Sequence, residues 1–140
     1  MNVNFGRAAL AGILGAAMMT VVGLYAAPMM GIPAMNPAEM LAGQMGGNAA
    51  LGWIAHFMIG MILAVVYAAV AGSLPGPLVV RGALYALAPW LLAQVVVMPM
   101  MGMGFFSGAV NLAIGSLIGH IIYGVVVGAA YGKPPASASL

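Results

Sequence analysis

The chain has 140 residues, and only Arg7, Glu39, Arg81 and Lys133 carry formal charge, whereas about a quarter of the residues in ordinary soluble domains are charged. With 65% hydrophobic residues and a mean hydropathy of +1.17, it lacks the polar surface needed to coat a water-soluble particle of its size. This composition excludes a soluble globular fold, intrinsic disorder and counterion-displacing nucleic-acid binding, and the absence of cysteine removes disulfides and thiol chemistry.

A transmembrane helix needs about 20 mostly apolar residues. Ala8 to Ala27 is the first such stretch. Its apolar run exceeds the roughly 7–15 residues of a signal-peptide core, so it is expected to be a retained span. Pro28, Pro33 and Pro37 then break the pattern. Asn36-Pro37-Ala38-Glu39 reads as a helix start, and it predicts a short interfacial helix from Pro37 to about Gln44 with Glu39 in a capping role. Ala49 to Ala71 is the second span, ended by Pro75 and Pro77. The third runs from Leu78 to Met98, with Arg81 near enough to its start to snorkel to the interface, and the fourth from Ala109 to Tyr131. The expectation is an all-α, four-helix transmembrane bundle in one domain, residues 1–140, made of two tandem helical hairpins, 1–74 and 75–140.

Arg7, Arg81 and Lys133 fall on one side of a four-span chain, which the positive-inside rule makes cytoplasmic, with both termini. Loops 28–48 and 99–108 then face outward. Tyr67, Tyr85 and Tyr131 are expected in an inner aromatic belt, and Tyr25 and Trp53 in an outer one. The expected location is a bacterial cytoplasmic (inner) membrane, in contact with the lipid bilayer.

Spans two and four share the pattern His-x3-Gly-x6-Tyr, as His56, Gly60, Tyr67 and His120, Gly124, Tyr131. Spans one and three end on the same tetrapeptide, Pro28-Met-Met-Gly31 and Pro99-Met-Met-Gly102. Residues four apart share a helix face, so His56 lies in a row with Gly52, Gly60 and Ala64, and His120 in a row with Ser116, Gly124, Gly128 and Gly132. Small-residue rows let membrane helices approach closely, so both histidines are expected to face protein.

Two such histidines could serve as axial haem b ligands, as metal or quinone contacts, or as structural hydrogen-bond donors. The outer loops hold Met98, Met100, Met101 and Met103, soft thioethers that suit copper(I), though methionine is equally an apolar filler. Gln94 and Asn111 are expected to hydrogen-bond across helices. With one glutamate and no aspartate there is no carboxylate pair or catalytic triad.

Gly52-Trp-x-x-His56-Phe-x-x-Gly60, Leu74-Pro75-Gly76, Met98-Pro-Met-Met-Gly102-x-Gly104-Phe-Phe106 and Gly119-His120-x-x-Tyr123-Gly124 together resemble a family of small uncharacterised bacterial four-span membrane proteins, a domain of unknown function. The resemblance implies an integral membrane location and supplies no catalytic residues. The functional expectation is a non-catalytic small subunit or assembly partner of a larger membrane complex, such as a respiratory or electron-transfer one, associating with other subunits or itself. The alternatives are a haem- or copper-binding protein using His56 and His120, and a small oligomeric channel or permease.

Overall fold

In the computed structural model, which describes residues 3–133, the chain is all-helical: α1 (Phe5–Met29), α2 (Pro37–Gly43), α3 (Ala49–Ser73), α4 (Leu78–Met100) and α5 (Val110–Tyr131). All but α2 are long and apolar enough to cross a membrane, and this is a multi-pass membrane protein. Asparagine side chains start three of the helices. Asn4 accepts from the Arg7 N–H, Asn36 from those of Ala38 and Glu39, and Asn48 from that of Leu51, each satisfying first-turn donors that have no helical partner. The cap of α2 is therefore Asn36. Glu39 sits exposed in the first turn, where its charge complements the helix dipole.

The proline pattern places the ends of spans one and three at Ala27 and Met98, yet both helices run on to Met29 and Met100. A proline ring clashes with the carbonyl four residues back. Here a wide π turn precedes each proline, Val22–Ala26 before Pro28 and Ala93–Val97 before Pro99. The helix stays wound through the widened turn as far as each proline, which then closes it in a last short turn. The chain then leaves both helices by the same turn. Ile32 N–H donates to Ala27 O at 3.1 Å and Met103 N–H to Met98 O at 3.0 Å. Gly31 and Gly102 carry it through φ of 77° and 79°, a region where a β-carbon is penalised.

Side by side the spans run α3–α1–α5–α4. Two glycine contacts of one kind hold the outer pairs. A β-carbon on Gly60 of α3 would lie 2.9 Å from both Ala16 Cβ and Gly12 O of α1. One on Gly124 of α5 would overlap the Gly82 carbonyl oxygen of α4 and lie 2.7 Å from Ala86 Cβ. Gly12/Ala16/Gly60 and Gly82/Ala86/Gly124 are thus the same small-residue contact made once in each hairpin. Between the hairpins, Gly15 of α1 leaves room for the Tyr123 ring and Val127 of α5.

The flanking helices α3 and α4 meet near the end of the bundle where Asn4 and Lys133 lie, hereafter the basic end. Tyr67 stacks edge-on against Tyr85 at 5.4 Å and against Tyr131 at 6.1 Å. Tyr85 donates its hydroxyl to Leu63 O at 2.8 Å, and Tyr123 donates to Gly60 O at 2.6 Å. These positions correct the expected inner aromatic belt. Tyr67 and Tyr131 have no exposed surface and Tyr85 is 9% exposed, because a phenol that finds a backbone partner, a carbonyl for Tyr67 and Tyr85 and the Asn4 N–H for Tyr131, can be buried in the core. Tyr25, at 68% exposure, and Trp53 do face outward at the opposite, loop end.

At the basic end, the two arginines act on helix C-termini. Arg7 donates to Tyr131 O and stacks over the Tyr131 ring at 5.2 Å, while Arg81 donates to Ala71 O at 3.1 Å and Gly76 O at 2.8 Å. The Tyr131 and Ala71 carbonyls are ones that helix ends leave unpaired, and Gly76 lies in the loop before α4.

Candidate functional site: a lateral cavity between α3 and α4

Toward the loop end α3 and α4 separate, and a cavity of about 490 Å³ opens between them. The sequence explains why it forms there. The tyrosines bridge α3 to α4 only in the basic half, and in the loop half α4 widens into the π turn Ala93–Val97. α1 and α5 form its back wall through Ala16, Gly23, Gly115 and Gly119, whose small side chains leave the volume empty. Its roof is made by the segment running into α2 and by the turn after α4. Met35 N–H donates to Gly23 O at 3.0 Å, which ties the roof to the π turn of α1, and Ala38 and Ala42 of α2 pack on Gly52.

Both histidines line this cavity. His56 is 6% exposed, and its Nε2 lies 2.9 Å from Thr20 Oγ1 and 3.2 Å from Ala16 O. The Thr20 hydroxyl donates to Ala16 O, so Nε2 carries hydrogen and donates. His120 uses the other nitrogen: Nδ1 donates to Ser116 O at 2.8 Å. In the neutral rings this leaves a lone pair on Nδ1 of His56 and on Nε2 of His120. Among the described residues no sealed side-chain nitrogen or oxygen lacks a partner. These two unpaired nitrogens are therefore not sealed, and both rings border the cavity.

A polar chain supports the His120 wall. Ser107 donates to Gln94 Oε1 at 2.8 Å, and Gln94 Nε2 donates to Ser116 Oγ at 3.0 Å. Gln94 has no exposed surface. Ser107 and Phe106 adopt φ of 60° and 51°, a left-handed conformation that costs non-glycine residues on the order of 1 kcal/mol or more. Gln94 bonds across helices as expected, whereas Asn111 does not: it is exposed and caps the N–H of its own neighbour, Leu112.

The methionines divide by helical direction. Met98, Met101 and Met103 line the cavity beside Met19, Met35 and Met40, while Met100 points away and is 80% exposed. Of the small residues expected at helix contacts, Gly60, Ala64, Gly124 and Gly128 are buried between spans. Gly52 instead receives α2, and Gly132 ends α5 at φ 68° against the Arg7 side chain. Among the described residues no three His, Cys, Asp or Glu side chains converge as a metal site.

What sequence reasoning missed is the cavity itself and the Thr20 partner of His56. One signal was present: a proline that ends an apolar span in Pro-Met-Met-Gly twice over marks a distorted last turn. No curated protein and no solved structure matches the chain. A family model does, over residues 2–137, which include the whole of the described bundle, and the chain belongs to that family, the family of unknown function DUF6789.

Proposed function

We propose that this is a non-catalytic membrane protein that holds a small apolar ligand, taken from the bilayer, in the cavity between α3 and α4. The observation that carries the reading is that a 490 Å³ space bordered by two histidines opens sideways, between helices whose outer faces are apolar. That volume falls within the roughly 300–1,000 Å³ of small-molecule sites. The basic end, with Arg7, Arg81 and Lys133, lies in the cytoplasm of a bacterial inner membrane, and the methionine-rich roof faces outward.

Axial haem ligation by His56 and His120 fits less well, because His56 Nε2 is engaged by Thr20 and Ala16. A through-channel within one chain is also disfavoured, since the buried tyrosines close the basic end. One observation favours a second reading. α3 and α4 leave between them the gap that a further helix would fill, so a partner subunit could seal the slot and make this chain a small subunit of a larger complex.

The test is native mass spectrometry of the protein released from nanodiscs, with Ala93→Phe as a plug at the cavity wall. The expected result is an apolar organic molecule retained by the wild type and lost from the plugged variant. Equal retention by both, or none by either, refutes the ligand reading. A protein subunit retained in place of the small molecule, and lost in Ala93→Phe, supports the second.

A further inference from the structure

The cavity offers its occupant acceptors. His120 spends its Nδ1–H on Ser116 O and His56 its Nε2–H on Thr20, so each presents a bare nitrogen. Gln94 has no exposed surface and bonds Ser107 through its oxygen and Ser116 through its nitrogen. The Tyr123 hydroxyl is committed to Gly60 O. A ligand that engages both bare nitrogens must therefore bring hydrogen-bond donors to two walls, α3 and α5, within one slot.

The rest of the lining indicates what carries those donors. Met35, Met40, Met98, Met101 and Met103 border the same space, and thioethers pack favourably against aromatic rings. A cation would arrive without a buried counter-charge, because Glu39 is the chain's only carboxylate side chain and is exposed at the roof. The volume also far exceeds what a bare ion occupies, about that of one or two water molecules.

Resting on the ligand reading above, we propose that the cavity binds a membrane-soluble hydroquinone, a ring with two hydroxyls and an apolar tail. Its hydroxyls donate to His120 Nε2 and His56 Nδ1, the ring packs among the methionines, and the tail leaves between α3 and α4. The site then discriminates by oxidation state. The corresponding quinone has only carbonyl acceptors to set against the two imidazole acceptors, so the reduced form binds in preference.

The test uses the full chain in nanodiscs under anaerobic conditions, with decylhydroquinone, its dimethyl ether and decylquinone as probes. Quenching of Trp53, whose ring centroid lies 6.2 Å from that of His56, reports binding. The expected result is that the ether and the quinone bind roughly tenfold more weakly than the hydroquinone, the effect of about two ordinary hydrogen bonds. His120→Asn keeps a side-chain donor for Ser116 O but lacks the distal nitrogen, and it should reduce the preference to about threefold. His120→Phe serves as the second variant with the same expected loss.

Equal affinity for the hydroquinone and its ether, or a preference untouched by either His120 substitution, overturns the proposal. So does retention of one equivalent of copper(I) that blocks the hydroquinone, which would make this a soft-metal site. If none of the probes binds while an apolar molecule is still retained by the wild type and lost in Ala93→Phe, the hydroquinone assignment fails and the ligand reading stands.

Discussion

Gly124→Ala tests the packing most directly. An added β-carbon would overlap the Gly82 carbonyl oxygen and lie 2.7 Å from Ala86 Cβ, where carbon atoms prefer roughly 3.5–4.0 Å. The obstruction is backbone, which cannot rotate away, so α4 and α5 must part by about 1 Å to restore contact distance. Alanine should return up to about 1 kcal/mol in helix propensity. Overpacking against a rigid neighbour costs about 1–3 kcal/mol, and parting the helices also loosens Gly128 from Leu78. A net destabilisation of about 1–2 kcal/mol is expected. Unfolding by SDS titration in mixed micelles can be followed through Trp90, whose Nε1 bridges α4 to Ala113 O of α5 at 3.2 Å. Gly6→Ala is the control, since its β-carbon would meet nothing closer than 3.7 Å and should be neutral or slightly stabilising. If Gly124→Ala proves as stable as the wild type or gains as Gly6→Ala does, the close approach of α4 to α5 is wrong.

Three further outcomes are expected. Gln94→Leu strands the Ser107 and Ser116 hydroxyls and should cost about 1–3 kcal/mol in the same titration, with Ser107→Ala/Gln94→Leu costing less than the two single changes together. Tyr85→Phe removes the hydroxyl that joins α4 to Leu63 O; a loss of about 0.6 kcal/mol, typical of hydrogen bonds between membrane helices, should appear as a lower unfolding midpoint. Arg7→Gln combined with Arg81→Gln takes away two of the three cations of the basic end. Terminal reporter fusions should then give mixed orientation where the wild type gives one, and an unchanged single orientation would refute the charge-based assignment.

Much of the helix layout could be read from the residues because it depends on local chemistry. Charge-free apolar runs mark membrane spans whatever their neighbours, and Asn36-Pro37 starts a helix through bonds made within one turn. The row Gly52, His56, Gly60, Ala64 marks a buried face because spacing of four residues is a property of the helix alone. Other assignments depended on the partner. Tyr67, Tyr85 and Tyr131 have the composition of an interfacial belt, and only backbone partners on neighbouring segments, carbonyls for Tyr67 and Tyr85 and the Asn4 N–H for Tyr131, make a buried position acceptable for them. Likewise Met98 and Met101 face inward and Met100 outward according to where the turn after Pro99 points.

The four charges were enough to establish that this chain lives in a membrane, since an apolar surface of this extent cannot be hydrated. The two histidines could be assigned to protein-facing rows on spacing alone. Whether those rows would close against each other was not a local matter. Glycines at 12, 60, 82 and 124 draw the helices together within each hairpin, while α3 and α4, far apart in the order of packing, meet at one end, through tyrosines and Arg81. The cavity is what remains when helices of fixed length touch at the basic end and diverge beyond it. The hydrogen bonds of His56 to Thr20 and of His120 to Ser116 then decide which nitrogen each ring leaves unpaired. Sequence spacing brings a histidine to a face; only its packed neighbours choose the atom it offers.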